Sequence, residues 1–307
     1  MMSIWLHLLL FLVGLVLLVK GSDYLVDGAS HLAMNLGVSS MVVGLTIVAY
    51  GTSLPEFAVS FAASLGGMDD IALGNIIGSN IANICLILGL SAVIRPLKVH
   101  ISVVKKEMLI MLGAALAMTF MLWDGEMDRI DGAILLIGFA AYLTFFVHEV
   151  IKANKSEAKH QHAPFWRNAL IIVGGLVAVS LGARLLVDSS VSIARQIEVS
   201  EYIIGLTVIA VGTSLPELAT SAMASYKNKG DIAVGNIIGS ISFNILLVLG
   251  ACAVILPLVL HTFFDLYLMC GVCALILGLF RTGLTLTRLE GVLLLIGYGA
   301  YMAYLFL

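Results

Sequence analysis

Charge is what this chain has least of. Of 307 residues only 11% are Asp, Glu, Lys or Arg, 61% are hydrophobic, and the mean hydropathy is +1.09. A soluble domain carries about 25% charged residues, so this surface cannot be coated for water and its solvent is expected to be lipid. The 16 basic residues are scattered and the net charge is −3, which speaks against a nucleic-acid partner. Cysteine is scarce too: Cys85, Cys252, Cys270 and Cys273 all lie inside apolar stretches. Cys270 and Cys273 form a CxxC with no polar ligand beside it. We read them as two small apolar residues one turn apart in a membrane helix, not as a metal or redox centre. No basic residue precedes the first apolar run, MMSIWLHLLLFLVGLVLLVKG, and Lys20 follows it. A secretory signal has the reverse order, so an uncleaved first helix is expected. Enzyme signatures are missing as well: HExxH, GxSxG and GxGD do not occur, and His148-Glu149 runs on into Val150, Ile151 and Lys152. We expect no enzymatic activity, no cofactor and no obligate protein partner.

What the chain has is apolar runs near the 20 residues a spanning helix needs. Ten occur, at 4–20, 40–64, 71–94, 103–122, 131–151, 168–186, 202–225, 232–256, 262–280 and 287–306. The fold class is thus an all-α membrane protein with ten transmembrane helices. The first run keeps helical apolar spacing beyond Lys20 through DYLVDGASHLAMNL, with its first good stop at Gly37; a helix of that length must lie tilted. Sorting the basic residues by side places Arg129, Arg184 and Arg195 with the N-terminus and the other 13 opposite. The basic side is cytoplasmic, which puts both termini outside a multi-pass protein of the plasma or inner membrane. The one long polar stretch, 152–167, reads as a cytoplasmic linker, its His160 and His162 solvated. Asp23, Asp27, Asp69, Asp70, Asp188 and Asp231 fall at predicted helix ends and are expected to cap them.

The chain repeats itself. Shifted by 161 positions, GLTIVAYGTSLPEF at 44–57 meets GLTVIAVGTSLPEL with ten of fourteen residues identical, and DIALGNIIGS at 70–79 meets DIAVGNIIGS with nine of ten. The spans therefore divide into two five-helix repeats, 1–151 and 168–307, joined by the linker 152–167, with the strongest similarity in 44–96 and 205–257. Five is odd, so the second repeat enters the membrane from the opposite side and is inverted. Inverted repeats place a binding site at their interface near the bilayer midplane, often on broken helices.

The polar residues of the spans cluster in these segments. Thr52, Ser53 and Glu56 lie in GTSLPE; Ser79, Asn80 and Asn83 lie in GNIIGSNIAN; their mates are Thr213, Ser214, Glu217, Ser240 and Asn244. Pro55 lacks an N–H and clashes with the preceding turn, which frees the carbonyls of Gly51 and Thr52; Pro216 does the same to Gly212 and Thr213. Backbone freed at membrane depth is tolerated only inside protein or beside a polar cavity. Glu56 and Glu217 sit mid-span, where an isolated charge costs at least about 2.5 kcal/mol. A lone Ser or Asn in such a helix is ordinarily packing glue, and Gly74, Gly78, Gly235 and Gly239 read as close-packing positions. Buried acids beside broken helices, in duplicate, ask for more: a pocket of hard oxygens that suits Ca²⁺ and Na⁺, with no soft ligand for other metals.

GTSLPEFAVS with GNIIGSNIAN, and GTSLPELATS with GNIIGSISFN, resemble the paired alpha repeats of the sodium/calcium exchanger family, within the cation/calcium antiporters. The resemblance covers nearly the whole chain. It implies a secondary antiporter exchanging Na⁺ for Ca²⁺ by alternating access, the ions being bound by Glu56, Glu217, Thr52, Ser53, Ser79, Asn83, Thr213, Ser214, Ser240 and Asn244. Backbone carbonyls at Ala49, Thr52, Ala210 and Thr213 complete the implied set. It also implies long, slanted first and sixth helices that slide across a fixed core. Some relatives, potassium-dependent ones among them, carry Asp at the position of Asn244; amides at both Asn83 and Asn244 speak against potassium dependence. The acidic GNxxE-type repeat of the proton/calcium branch is absent. A proton/calcium antiporter and a sodium-coupled exchanger of another divalent cation stand as the alternatives.

Overall fold

A computed structural model gives the fold and describes residues 4–154, 165–197 and 210–305. Its helices are α1 (Ile4–Leu36), α2 (Ser40–Thr52), α3 (Leu54–Leu65), α4 (Asp69–Ile94), α5 (Ile101–Lys105), α6 (Glu107–Met121), α7 (Arg129–Asn154), α8 (Phe165–Gln196), α9 (Ala210–Gly212), α10 (Leu215–Tyr226), α11 (Gly230–Ile255), α12 (Phe264–Gly283) and α13 (Arg288–Leu305). Among the described residues six helices, α1, α4, α7, α8, α11 and α12, contain a stretch long and apolar enough to cross a membrane. Helices α2 and α3, bent by 46° where they meet, make a seventh crossing if taken as one broken span. The chain is an integral, mostly helical membrane protein.

Burial sorts these helices. Within their most apolar stretches, α4 and α11 are 78% and 83% buried, α1 only 17%. So α4 and α11 form the centre, and the first half of α1 is mostly exposed while its second half, from Gly21 to Ala33, is largely buried. At a rise of about 1.5 Å per residue, the 33 residues of α1 reach about 50 Å, longer than the roughly 30 Å hydrocarbon layer, so the helix is tilted. It stops where expected: Gly37 takes φ +66°, and the Val38 N–H reaches back 3.0 Å to the Ala33 carbonyl, a left-handed glycine cap.

Helix α8 runs ten residues beyond the apolar stretch that announced it and lies antiparallel to α1, since Gly14 faces Gly182 and Gly28 faces Ile172. The two backbones nearly touch: a Cβ on Gly182 would stand 2.6 Å from the Leu18 nitrogen. The stretch at 103–122 is divided instead of continuous, breaking at Lys106 (φ −120°, ψ −72°) between α5 and α6. Four two-residue strands clip the ends together, β1 (Leu97–Lys98) antiparallel to β4 (Thr285–Leu286) and β2 (Glu126–Met127) antiparallel to β3 (Leu258–Val259).

Several aspartates are not caps. Asp23, Asp27 and Asp188 lie inside α1 and α8, because both helices continue past their most apolar stretch. Asp23 and Asp27 pair with Lys227 at 2.5 and 2.8 Å, and Asp188 with Arg184 at 3.7 Å. Asp69, Asp70 and Asp231 do occupy first turns, with no side-chain capping bond in either helix; Asp69 accepts the Val259 N–H at 3.2 Å and Asp70 meets His261 at 2.9 Å. Close packing holds at Gly235, where a Cβ would stand 2.7 Å from the Met41 carbonyl, and at Gly239, against the Leu45 carbonyl. At Gly74 and Gly78 no described atom is so near; the segment matching 41–45 is 202–206, outside the described residues. Most of the linker, with His160 and His162, also lies outside them.

Candidate functional site

Each proline-broken helix delivers its acid in the same way. Helix α2 ends at Thr52 and α3 starts at Leu54, with Ser53 between them at φ −83°, ψ 6°; Ser214 stands before α10 at φ −89°, ψ 6°. Proline in the first turn costs no hydrogen bond there, since a helix start has unpaired N–H groups in any case. Glu56 and Glu217 fall in those first turns, where the helix dipole favours negative charge. Across the first break the backbone bonds run from Ser53 to the Ala49 carbonyl at 3.0 Å and from Phe57 to the Ser53 carbonyl at 3.1 Å. Neither the Gly51 nor the Thr52 carbonyl accepts one of these, as the proline argument requires.

The side chains then cross between repeats. Ser53 donates to Glu217 Oε1 at 2.8 Å, and Ser214 donates to Glu56 Oε1 at 3.1 Å. Ser214 Oγ also stands 3.4 Å from Ser79 Oγ. The structure therefore brings Glu56, Glu217, Ser53, Ser214 and Ser79 into one buried cluster, each at most 5% exposed. Thr52 is buried beside them and Thr213 half-buried. Asn83, Ser240 and Asn244 lie on the two central helices, buried to within 1%, with no hydrogen bond to either carboxylate among the described residues. The Ala49 carbonyl accepts the Ser53 N–H and has the Thr52 hydroxyl 3.2 Å away. Ala210 opens α9; its side chain is outside what is described.

Five of these oxygens are buried without a hydrogen-bond partner: Oε2 of Glu56 and of Glu217, Oδ1 of Asn83 and of Asn244, and Oγ of Ser240. A neutral buried acceptor left unpaired costs about 1–3 kcal/mol and a charged one more, so these oxygens are open to a partner that is not a protein donor. Their number and type match a hard cation. No cluster of three or more His, Cys, Asp or Glu stands ready for a softer metal among the described residues.

Two features of the site lie beyond what the sequence led us to expect. Both central helices loosen to π-helical winding, over Asn83–Leu88 and Asn244–Leu249, starting at the two asparagines; a π-turn adds a residue to the ring and often marks a functional site. No sequence signal marks them beyond the asparagines themselves. Asn75 and Asn236 are the second feature: they are not among the residues expected at the site, although they stand inside the duplicated GNIIGS. Thr213 donates to Asn75 Oδ1 at 3.4 Å, and Thr52 to Asn236 Oδ1 at 3.1 Å. Their position in the repeat is the signal that could have found them.

The pattern of the sodium/calcium exchanger protein family matches residues 6–148 and 167–307. The chain is 33% identical to the sodium/calcium exchanger MaX1 of Methanosarcina acetivorans over 99% of both chains. It is 39% identical to the inner membrane protein YrbG of Escherichia coli over 81% of this chain and 79% of that one. Among solved structures it resembles the sodium-calcium exchanger NCX_Mj soaked with 10 mM Na⁺ and zero Ca²⁺, at a TM-score of 0.88 and 33% identity, covering 98% of this chain and 99% of the other.

Proposed function

Because this chain belongs to the sodium/calcium exchanger protein family, we propose that it exchanges Na⁺ for Ca²⁺ across the membrane by alternating access at the Glu56–Glu217 cluster. The observation that carries this reading is the pair of buried carboxylates, each bonded to a serine of the other repeat and each with its second oxygen unpartnered. Two ionised glutamates balance one Ca²⁺, which takes 6–8 oxygen ligands; serine and threonine hydroxyls, asparagine oxygens and backbone carbonyls at Ala49, Thr52, Ala210 and Thr213 supply the rest. The ligands are those expected from the sequence: Glu56, Glu217, Thr52, Thr213, Ser53, Ser214, Ser79, Ser240, Asn83 and Asn244, with the Ala49 and Ala210 carbonyls. Ca²⁺ and Na⁺ compete for the same carboxylates. An empty pocket leaves two anions buried and unpaired, which penalises the crossing and makes exchange obligatory.

The architecture proposed is ten transmembrane helices in two inverted five-helix repeats, with both termini outside. The antiparallel α1 and α8, opening 1–151 and 168–307, support the inversion, as do the reciprocal bonds Ser53–Glu217 and Ser214–Glu56. The glycine-lined α1–α8 contact leaves few side chains to unlock when these helices slide together over the central α4 and α11.

One observation favours a second reading. Two adjacent carboxyl groups suit a shared proton as well as a cation, and a protein similar to this one, from Alkalimonas amylolytica, is called "Putative antiporter CaxA". Proteoliposomes loaded with Na⁺ and diluted into sodium-free medium with ⁴⁵Ca separate the two. Uptake driven by the sodium gradient, unchanged by K⁺ and not supported by a pH gradient alone, is the expected result. Uptake driven by the pH gradient without Na⁺ would replace the proposal with proton coupling, and suppression of ⁴⁵Ca uptake by Mg²⁺ or Mn²⁺ would point to another divalent substrate.

A further inference from the structure

Building on the exchange site just described, we propose that Asn75 and Asn236 are positioning residues. Each takes the hydroxyl proton of a threonine in the opposite repeat, so that the threonine oxygen turns its lone pairs to the transported cation.

The amide orientations carry the argument. Asn75 Nδ2 lies 3.2 Å from the Glu56 carbonyl and 2.8 Å from Ser60 Oγ. A backbone carbonyl only accepts, so the amide nitrogen must be on that side. That turns Asn75 Oδ1, itself only an acceptor, towards Thr213 Oγ1. The threonine is the one group of the two with a proton to give, and having one proton it keeps both lone pairs free. Asn236 has Nδ2 on Ser221 Oγ at 3.0 Å and Oδ1 facing Thr52; a hydroxyl can donate or accept, so its amide orientation follows, by analogy, that of Asn75, its mate in the repeat.

Thr52 shows why the acceptor matters. Its hydroxyl lies 3.2 Å from the Ala49 carbonyl and 3.1 Å from Asn236 Oδ1. Two acceptors compete for one proton. Spent on Ala49, which already accepts the Ser53 N–H, that proton takes up the remaining lone pair of an oxygen the cation needs. Given to Asn236, it leaves the hydroxyl oxygen and that lone pair available. Asn236 is fully buried and belongs to the repeat opposite Thr52, so the ligand geometry of each half is set by the other.

The test is a double-mutant cycle on sodium-driven ⁴⁵Ca uptake in proteoliposomes, using Asn236→Leu, Thr52→Val and the pair. Asn236→Leu is expected to raise the half-saturating Na⁺ and Ca²⁺ concentrations roughly tenfold, the worth of about one hydrogen bond to a charged site, with a smaller change in maximal rate. In the Thr52→Val background the same substitution is expected to add nothing, because its effect passes through that hydroxyl. Additive effects, or unchanged half-saturation in Asn236→Leu, overturn the proposal and leave Asn236 as helix-packing glue. Should Asn236→Leu not fold, the equivalent cycle of Asn75→Leu with Thr213→Val, at half-buried positions, decides the same question by the same two outcomes. If the unmodified protein moves no calcium under a sodium gradient, the exchange reading falls instead, and that control is read first.

Discussion

At its carboxylate pair the molecule treats its two halves alike; at its faces it does not. Ser53 holds Glu217 and Ser214 holds Glu56, and the four side chains are equivalent under the 161-residue shift. On the face bearing Lys227, by contrast, that ammonium bridges Asp23 and Asp27 of α1, and Lys229 reaches Ser30 at 2.9 Å. The matching residues are Gly66 for Lys227, Met68 for Lys229, and Arg184 and Asp188 for the two aspartates. Arg184 and Asp188, among the described residues, form an ion pair only with each other, on the exposed side of α8. Among the described residues α1 is tied by charge to the end of α10, and α8 has no such tie to the end of α3. At the centre the duplicated serines and glutamates hold one another across the two halves; at the faces no such reciprocal contact joins the copies among the described residues.

That contrast is open to attack, most heavily at the centre. Glu56→Gln and Glu217→Gln are each expected to lower sodium-driven ⁴⁵Ca uptake at least about 100-fold, since losing one partner of a buried charge set costs about 3–5 kcal/mol. A large difference between the two variants would break the equivalence of the halves. Next come the glycines between α1 and α8. Gly182→Val, and Gly21→Val at the matching position, press a side chain onto backbone 2.6 to 2.8 Å away; overpacking of about 1–3 kcal/mol predicts a lower thermal midpoint and slowed uptake for both. Smaller again, Ser53→Ala and Ser214→Ala each strip a carboxylate oxygen of its donor, for roughly a tenfold rise in half-saturating Ca²⁺, the two agreeing within about threefold.

The faces should answer weakly and unequally. Lys227→Gln releases α1 on one side and is expected to lower the thermal midpoint by a few degrees at most, a partly exposed pair being worth about 1 kcal/mol or less; Arg184→Gln should change nothing measurable. Burial alone pulls the Lys227 pKa down, but hydrogen bonds to Asp23 and Asp27 outweigh it and raise the ammonium above its ordinary value of 10.5. A raised folded-state pKa means the tie is fully present below the unfolded value and lost as pH rises through the folded one. The difference between wild type and Lys227→Gln is therefore expected to be constant near neutral pH and to vanish only above about pH 10.5, as thermal melts across an alkaline series would reveal.

Much of this is legible in the sequence. Low charge dictates lipid, Pro55 and Pro216 announce two broken helices, and the repeat points to Glu56 and Glu217. The aspartates mislead because a helix end inferred from hydropathy is where the apolar run stops, while α1 and α8 continue past it. Asn75 and Asn236 do not stand out because each looks like one more packing amide until its partner in the other half is seen.

The sequence by itself determined the solvent, the duplication and which residues carry charge into the bilayer, since composition and periodicity are properties of the chain alone. Only the tertiary structure decided that Ser53 answers Glu217 and not the Glu56 three residues along, that the asparagines begin π-turns, and that Lys227 ties down α1 on one face alone. Contacts between residues more than 160 positions apart depend on how helices settle against one another, and no local pattern encodes that distance.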